Sequence, residues 1–377
     1  MPARIDAREQ LRGAPPAGRA PPQRLRPARA WSALAASLLL GACATNPPVE
    51  EEYEVEIPSG VTDARGRFGE IYCAVLEAHG HDLPDYRSCE DAQSRVSSKP
   101  AATGLPVDLG PSRRQLQAAI VPGIGYGCFA AWLEPPGTAA AHVSKFGFGM
   151  VGIEVDALSG TATNARQIRD AILAMPMDGG PSRIVLVGYS KGTPDILEAV
   201  VRYPEIHDRV AAVVSVAGAV GGSALADDSE QWQADLLRHW PKADCDAGDG
   251  GGVASLRPEV RKAWLAQNPL PSNVRYYSLV TLPDPERISR IVRSSYKKLG
   301  KIDWRNDSQV IYFDQIVPGS TLLGFLNADH WAVAVPLDRS HKIIGAALAD
   351  KNDYPREAML EAMLRFVEED LEHSPPR

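Results

Sequence analysis

The sequence has no surplus of basic residues. Its 377 residues include 40 Lys and Arg against 47 Asp and Glu, a net charge of −7, and no part of the body forms a basic stripe. Proteins that bind nucleic acid use such a surplus to neutralise phosphates, so we exclude that class. Disorder and collagen are excluded as well, because 44% of the residues are hydrophobic and 23% are charged, as in ordinary globular proteins.

The usual cofactor motifs are missing too. The Gly-rich stretch at residues 120–127 has neither the G-K-[ST] ending of a phosphate-binding loop nor the G-x-G-x-x-G spacing of a dinucleotide site. The cysteines fit no zinc pattern. The acidic turn at residues 244–250 lacks the Gly at the sixth position and the closing Glu at the twelfth that a calcium loop requires. We therefore expect no metal and no other cofactor.

The start of the chain has the charge pattern of a signal peptide. Residues 1–42 contain seven Arg against two acidic residues, a local balance of +5 that leaves −12 for the remainder. This basic start leads into ten uncharged residues, 31–40, and then into Gly41 and Ala42. Ten residues cannot span a hydrocarbon core of about 30 Å as a helix. We therefore predict a cleaved export signal.

Residues 40–43, Leu-Gly-Ala-Cys, resemble the lipobox of bacterial lipoproteins, in which the bond before the Cys is cut and its thiol is acylated. The resemblance implies that residues 1–42 are removed and that Cys43 attaches the protein to a membrane of the cell envelope. Ala44 in place of Asp favours the outer membrane. The alternative is an ordinary secretory signal followed by a chance Cys.

Export places the remaining cysteines in an oxidising compartment. Cys73, Cys89, Cys128 and Cys245 form an even set, so two disulfides are expected. Of the three pairings we favour Cys73 with Cys89, which closes a short loop, and Cys128 with Cys245. Free buried thiols are the alternative.

Composition divides the mature chain into three parts. Residues 43–60, rich in Glu and Pro, are predicted to form an acidic tether. Residues 61–112 are expected to form a small N-terminal element that ends in a Pro- and Gly-containing boundary. Residues 113–377 alternate short apolar runs with amphipathic segments, which predicts a mostly parallel sheet with helices on both faces.

Specific strands and helices follow from this alternation. We predict strands at residues 117–121, 149–155, 183–187, 210–216 and 274–280 and at the apolar run that ends at Asp314. Helices are expected around residues 165–175, opened by Thr161 or Thr163, and at 193–203 and 355–371. The alternation of apolar runs and amphipathic segments stops between residues 221 and 272, where we expect a cap insertion. Its apolar residues, which either form a small core or line an acyl-binding surface, are Trp232, Leu236, Leu237, Trp240 and Trp264.

The strongest chemical signal is Gly188-Tyr189-Ser190-Lys191-Gly192, which follows an apolar strand and opens a helix. A nucleophile on such a sharp turn adopts a strained backbone, and the flanking positions must be Gly to avoid clashes. We predict Ser190 as the nucleophile. The cation at Lys191 either faces an acidic substrate or points to solvent.

A serine nucleophile needs a base and an acid. Of the eight His, only His330 follows an apolar stretch near the end of the fold, so we assign it as the base. The acid should precede it in the chain, and Asp314 is our choice because it ends an apolar run. Asp284 is the main rival, and Asp303 and Asp307 are weaker ones. The amides of Ile124 and Lys191 are the candidates for an oxyanion hole, with Gly125 or Tyr126 as alternatives to Ile124.

Together these segments resemble the serine esterases and lipases of the α/β-hydrolase superfamily. The succession Asp314-Gln315-Ile316-Val317-Pro318, then Ser320 and Asp329-His330, is similar to that of bacterial lipases, with Gln315 in place of the usual Gly. The resemblance implies the α/β-hydrolase fold with a cap and a serine hydrolase that cleaves small-molecule or lipid esters through Ser190, Asp314 and His330. The alternatives are a catalytically silent lipoprotein that binds a lipid or partner, and a thioesterase or amidase on the same fold.

Overall fold

Seven parallel strands form one sheet in the part of the chain that the structure describes. The computed structural model describes residues 52–129, 137–176, 183–228, 248–340 and 349–373. The strands are β1 (Thr62–Asp63), β2 (Gln117–Val121), β3 (Gly149–Gly152), β4 (Ile184–Tyr189), β5 (Val210–Val216), β6 (Tyr276–Thr281) and β7 (Thr321–Leu326). They lie in the order β1-β7-β6-β5-β4-β2-β3, with each neighbouring pair parallel. All carboxyl ends therefore lie at one edge, where ligands bind in sheets of this type.

Helices cover both faces of the sheet. Those within the described residues are α1 (Arg65–His79), α2 (Cys89–Ala92), α3 (Tyr126–Phe129), α4 (Gly137–Ser144), α5 (Thr161–Ala174), α6 (Gly192–Arg202), α7 (Pro258–Gln267), α8 (Arg293–Leu299), α9 (Leu337–Ser340) and α10 (Arg356–His373). Side chains alternate along each strand, so Val185 and Val187 pack with α1, α4 and α10, whereas Leu186 packs with α5 and α6. Burial on both faces explains why these strands are continuous apolar runs. In the described part of the chain, no helix is long and apolar enough to span a membrane.

The predicted strands agree with the sheet in all but one place. Two match their predicted bounds, Gln117–Val121 and Val210–Val216, and three others differ by a few residues at an end. The exception is the apolar run before Asp314, which is not a strand but leads into a 3-10 helix, Tyr312–Gln315. Its apolar residues pack against β6 and β7 from outside the sheet. Short apolar runs do not distinguish the two structures by periodicity.

The N-terminal element is part of the main body. Residues 51–377 form one compact unit, in which β1 pairs with β7 and α1 packs against β7 and α10. The predicted disulfide between Cys73 and Cys89 is confirmed and joins α1 to α2. Cys128 is buried and is not a free thiol. Its predicted pairing with Cys245 stays a prediction, because Cys245 and Cys43 lie outside the described residues.

A buried carboxylate joins the helices on this face. Glu361 of α10 accepts hydrogen bonds from His79 Nδ1 at 3.0 Å and from His142 Nε2 at 2.6 Å, and Arg365 Nε donates to its second oxygen at 2.7 Å. The two histidines and Glu361 place metal-type ligand atoms close together. The Glu361 carboxylate already has a guanidinium and two imidazoles as partners, however, so it serves as a hydrogen-bonded link between α1, α4 and α10.

The predicted cap lies partly outside the described residues, including Trp232, Leu236, Leu237 and Trp240 at residues 229–247. Of the remainder, Trp264 on α7 packs on the α5–α6 face of the sheet core, so it forms neither a separate cap core nor an acyl surface. The Asp249 carboxylate accepts hydrogen bonds from Gly160 N and Thr163 Oγ. Asp249 therefore binds the N-terminus of α5. The N-cap position is Gly160, so the prediction that Thr161 or Thr163 caps the helix is wrong.

Candidate active site

Ser190 lies on a strained turn between β4 and α6. Its φ is +54°, in the left-handed region that residues with a side chain rarely adopt. A Cβ on Gly188 would lie 2.6 Å from Thr193 N, and one on Gly192 would overlap the carbonyl oxygen of Val121. Both glycines are therefore required by sterics, as expected from the motif. The turn places Ser190 at the carboxyl edge of the sheet.

His330 lies beside Ser190, four residues after the end of β7. Its Nε2 is 2.8 Å from Ser190 Oγ. Two further contacts fix the backbone of His330: its N–H donates to the carbonyl of Asp307 at 2.9 Å, and its carbonyl accepts the hydroxyl of Tyr189 at 2.7 Å. The structure thus brings together the predicted nucleophile and base, and it adds Tyr189 as a residue that holds the base in place.

The carboxylate partner of His330 is Asp307. His330 Nδ1 lies 2.7 Å from Asp307 Oδ2. Asp307 is fully buried in the connection between β6 and β7. Its Oδ1 accepts the N–H groups of Gln309 at 2.9 Å and Val310 at 2.7 Å, a tight turn through Ser308, whose φ is +85°. These hydrogen bonds stabilise the charged form of the carboxylate and fix its direction.

The choice of Asp314 as this partner is wrong. Asp314 lies in the 3-10 helix, where its carboxylate is 3.7 Å from Lys262 Nζ and its carbonyl accepts Gly221 N–H. Burial raises the pKa of Asp314 to about 6, and Lys262 opposes that rise. The error follows from the missing strand: Asp314 does not end a strand, and its carboxylate lies beside Gly221 and Lys262 instead of His330.

The other two acids considered for this position have partners of their own. Asp284 accepts from Asn327 Nδ2 at 2.7 Å, and its N–H donates back to Asn327. Asp303 is paired with Arg305, whose Nη2 lies 2.7 Å from Asp303 Oδ2. Asp307, rated below Asp284 from the sequence, is the acid that reaches His330.

The Lys191 side chain faces neither a substrate nor solvent. Its Nζ lies 2.8 Å from both carboxylate oxygens of Asp195, one turn further along α6, and both side chains are almost fully buried. Asn164 Nδ2 of α5 donates to the same carboxylate at 2.7 Å. Burial raises the pKa of Asp195, and the Lys191 ammonium opposes that rise. Both expectations for this cation are therefore wrong: it forms a buried ion pair beneath the nucleophile.

Several backbone N–H groups near Ser190, that of Gly123 among them, have no acceptor among the described residues. A Cβ on Gly123, in the loop after β2, would lie 2.9 Å from Ser190 Cβ, which shows how closely this loop approaches the nucleophile. Within the loop, Gly125 N–H donates to Ala157 and Tyr126 N–H to Gly123. In the described part of the chain, the N–H groups of Ile124 and Lys191 donate to no protein acceptor. They are the two amides predicted for an oxyanion hole.

Apolar side chains border this loop on two sides. Ile124 packs with a cluster that includes Val253 and Leu256 from the cap insertion. Tyr126 packs with a second cluster that contains Trp331, the neighbour of His330, and Leu337. The surroundings of the loop after β2 are thus hydrophobic in character.

Comparison with known structures identifies the family. The chain is similar to the metagenomic carboxyl esterase MGS0156, with 39% sequence identity over 84% of this chain and 96% of that one and a TM-score of 0.76. It also matches Bacillus licheniformis lipase BlEst2 in mature form (22% identity, 60% of this chain and 89% of that one, TM-score 0.49) and Staphylococcus hyicus lipase (12% identity, 71% and 99%, TM-score 0.46). These two likenesses are too distant to carry a conclusion. No protein-family model and no curated protein matches the chain.

The fold and the arrangement of Ser190 and His330 define the class, an α/β-hydrolase with a serine-centred site. The extent of the likeness to the metagenomic enzyme then fixes the family within it. The chain belongs to the α/β-hydrolase carboxyl esterases.

Sequence reasoning missed or underrated three residues of the site, and two of them left a signal. Asp307 stands in Asn306-Asp307-Ser308, a polar trio typical of a tight turn. Thr281, whose hydroxyl donates to Asp307 Oδ2 at 2.6 Å, is the last residue of β6 and directly follows the strand predicted at residues 274–280. Tyr189 occupies the second position of the nucleophile motif, and nothing in the sequence indicates that its hydroxyl binds the His330 carbonyl.

Proposed function

We propose that the protein hydrolyses carboxylic esters through an acyl-enzyme, with Ser190 as nucleophile, His330 as base and Asp307 as the acid that orients it. The observation that carries the proposal is the unbroken chain of hydrogen bonds from Asp307 Oδ2 through both nitrogens of His330 to Ser190 Oγ. Membership of the carboxyl esterase family supports an ester as the substrate. The apolar clusters around the oxyanion loop favour an apolar acyl or alcohol group.

The first half of the reaction forms the acyl-enzyme. Ser190 Oγ attacks the ester carbonyl carbon while its proton passes to His330 Nε2. The carbonyl oxygen becomes an oxyanion, for which the N–H groups of Ile124 and Lys191 are the proposed donors. Asp307 stabilises the imidazolium through Nδ1. The imidazolium then protonates the alcohol oxygen, the carbon–oxygen bond breaks and the alcohol leaves.

The second half returns the enzyme to its starting state. His330 takes a proton from water, and the resulting hydroxide attacks the acyl carbon. The same two amides stabilise the second oxyanion. When this intermediate collapses, His330 returns the proton to Ser190 Oγ and the carboxylic acid is released. Each proton transfer uses a nitrogen that already lies within hydrogen-bond distance of the serine.

Reaction with a fluorophosphonate tests the nucleophile directly. Only an activated serine reacts readily with this probe, so we expect one label per chain, located by mass spectrometry on the peptide that contains Ser190. The Ser190→Ala variant serves as the matched control and should remain unlabelled. The same pair is assayed on 4-nitrophenyl esters of two to sixteen carbons, where the preferred chain length separates an esterase from a lipase.

Two results of this experiment would contradict the proposal. Ester hydrolysis that persists in Ser190→Ala would exclude Ser190 as the nucleophile. A protein that takes no label and cleaves no ester would instead be the silent binding protein. If the protein is labelled but prefers matched thioesters or amides to esters, the acyl-enzyme mechanism is retained and the ester is rejected as the substrate class.

We also propose that the mature protein is attached to the outer membrane through a lipid on Cys43. The support is the sequence pattern of a basic start, a short apolar run and Leu-Gly-Ala-Cys at residues 40–43. The described chain begins at Glu52, nine residues after Cys43, and Tyr53 stacks on Trp304 with ring centroids 4.9 Å apart. The folded body would therefore lie close to the lipid surface.

Phase partition of the full chain expressed in a bacterium tests the anchor. We expect the wild-type protein in the detergent phase of a Triton X-114 separation and Cys43→Ser in the aqueous phase, because lipidation adds about 0.8 kcal/mol of membrane affinity per buried methylene. Mass spectrometry of the first peptide should find an acylated Cys43. Equal partition of the two proteins, with an unmodified Cys43, would point to ordinary secretion.

A further inference from the structure

Asp307 Oδ2 accepts two hydrogen bonds. One is the contact with His330 Nδ1 at 2.7 Å, and the other comes from Thr281 Oγ1 at 2.6 Å. Thr281 is the last residue of β6 and is fully buried. Its hydroxyl also lies 3.1 Å from Gln315 Oε1, but the shorter contact is to the carboxylate, and a charged acceptor binds the single hydroxyl proton more strongly. Thr281 therefore donates to the oxygen that His330 uses.

Gln315 holds Thr281 in this position. Its Oε1 accepts Thr281 N–H at 2.8 Å, and its Nε2 donates to the Thr281 carbonyl at 3.0 Å. The carboxamide thus pairs with the main chain at the end of β6 as a neighbouring strand would. Gln315 is fully buried in the 3-10 helix, and its own carbonyl lies 3.3 Å from Ser215 Oγ of β5. Gln315 is the residue that stands in place of the usual Gly in the lipase-like sequence Asp314-Gln315-Ile316-Val317-Pro318.

We propose that Thr281 and Gln315 are positioning residues for ester hydrolysis: Gln315 fixes the end of β6, and the Thr281 hydroxyl orients the Asp307 carboxylate toward His330. The proposal rests on the proposed function of Ser190, His330 and Asp307. The Thr281 hydroxyl is expected to affect the charge on the Asp307 carboxylate as well as its orientation. The hydroxyl shares Oδ2 with the imidazole, so it moderates the negative charge that stabilises protonated His330.

The matched variants Thr281→Val and Thr281→Ser separate the hydroxyl from packing. Val keeps the shape of Thr and loses the donor, whereas Ser keeps the donor and loses a methyl group. We expect kcat of Thr281→Val to fall by about tenfold to a hundredfold, the effect of losing a hydrogen bond to a charged group, with KM almost unchanged. Thr281→Ser should retain a kcat within about threefold of wild type, since its hydroxyl still reaches Asp307.

The pH profile supplies a readout that a purely structural role would not move. Without the Thr281 hydroxyl, Oδ2 stabilises the His330 imidazolium more strongly, so the acid limb of kcat/KM against pH should move to higher pH in Thr281→Val but not in Thr281→Ser. Tyr189 and Asp329 are the other titratable groups packed near His330, and both are common to all the variants. A difference between profiles therefore reports on the Asp307–His330 contact.

Gln315→Met tests the second positioning residue. The variant preserves the length of the side chain and removes both hydrogen bonds to the Thr281 main chain. We expect kcat to fall in the same direction as in Thr281→Val. In the double variant the two losses should be less than multiplicative, because both act through the Asp307 carboxylate.

Several outcomes would overturn the proposal. Unchanged kcat and pH profile in Thr281→Val would do so, and so would equal losses in Val and Ser variants, which would assign the effect to packing. Fluorophosphonate titration counts folded active sites, so reduced folding is not mistaken for reduced kcat. If the wild-type enzyme cleaves no ester, the low-field NMR signal of the His330 Nδ1 proton still answers the question. It should move in Thr281→Val and stay in Thr281→Ser, and an unmoved signal would exclude the hydroxyl's role.

Discussion

Asp307→Asn should lower kcat for ester hydrolysis by about four orders of magnitude, the loss expected when a triad carboxylate becomes an amide. Asp307 Oδ2 is the acceptor for His330 Nδ1, and its charge is what stabilises the imidazolium during the reaction. An Asn amide keeps the shape but carries no charge, and its NH2 group favours the wrong tautomer of His330. Steady-state kinetics on a 4-nitrophenyl ester, normalised to the concentration of folded protein determined by circular dichroism, measure the loss.

Asp314→Asn is the matched control. The Asp314 carboxylate contacts only Lys262 among the described charged groups, at 3.7 Å, and it makes no contact with His330. We therefore expect kcat to change by no more than about twofold, as for a weak ion pair that is partly exposed. A severe loss in Asp314→Asn together with an active Asp307→Asn would reverse the assignment and restore the acid chosen from the sequence.

The nucleophile and base were predictable because local rules constrain them. Ser190 has a left-handed backbone, and a Cβ at either flanking Gly would clash with neighbouring atoms. The geometry of the turn therefore dictates a five-residue motif that can be recognised in the sequence. His330 must follow the last strand closely, because it reaches Ser190 across the carboxyl ends of the strands that lie between β7 and β4. In both cases the requirement is met within a few residues of the end of a strand.

The acid was not predictable in this way, because its position depends on the course of a long connection. Asp307 lies 26 residues after Thr281, the end of β6, and reaches His330 through a loop that the strand pattern does not determine. Any carboxylate in that loop that can meet Nδ1 satisfies the chemistry. The apolar run before Asp314 looked like a strand since it is buried, yet burial outside the sheet produces the same pattern.

Similar limits apply to the fold as a whole. The strands were recognisable from continuous apolar runs, and the helices from their spacing, because each pattern follows from local burial. The position of β1 at the edge beside β7 could not be predicted, because a strand of only two residues has no recognisable pattern and its pairing joins distant parts of the chain. The Lys191–Asp195 pair follows the local i,i+4 spacing, but its burial beside Asn164 depends on the packing of α5 on α6, which the sequence pattern does not determine.

Lys191→Met should reduce the free energy of unfolding by about 3–5 kcal/mol, the usual cost of removing one partner of a buried ion pair. The variant leaves the Asp195 carboxylate fully buried, with Asn164 as its remaining hydrogen-bond donor. Urea denaturation at neutral pH measures the loss. The double variant Lys191→Met/Asp195→Asn should recover most of it, because it removes the charge as well as its partner, and the introduced amide oxygen can still accept from Asn164.

The pH dependence of this loss identifies its cause. Burial already raises the folded-state pKa of Asp195, and Lys191→Met removes the cation that opposes this rise most strongly, leaving only the weaker effects of the Asn164 hydrogen bond and of Arg261. A carboxyl with a raised folded-state pKa binds a proton on folding. Its contribution to stability is therefore fully present below the unfolded pKa of about 4 and is lost as pH rises through the folded pKa. The deficit of the single variant relative to the double variant should be smaller at pH 5 than at pH 8.

If the loss in Lys191→Met relative to wild type were equal at the two pH values and the double variant recovered none of it, the effect would be assigned to packing of the Lys191 methylenes rather than to charge. The same proteins also separate the two roles of residue 191. Its side chain belongs to the ion pair, whereas its N–H is one of the two proposed oxyanion donors, and a substitution at the side chain leaves that N–H in place. A folded double variant should therefore keep most of its esterase activity. Loss of activity in a double variant of normal stability would mean that the ion pair also fixes the direction of the amide.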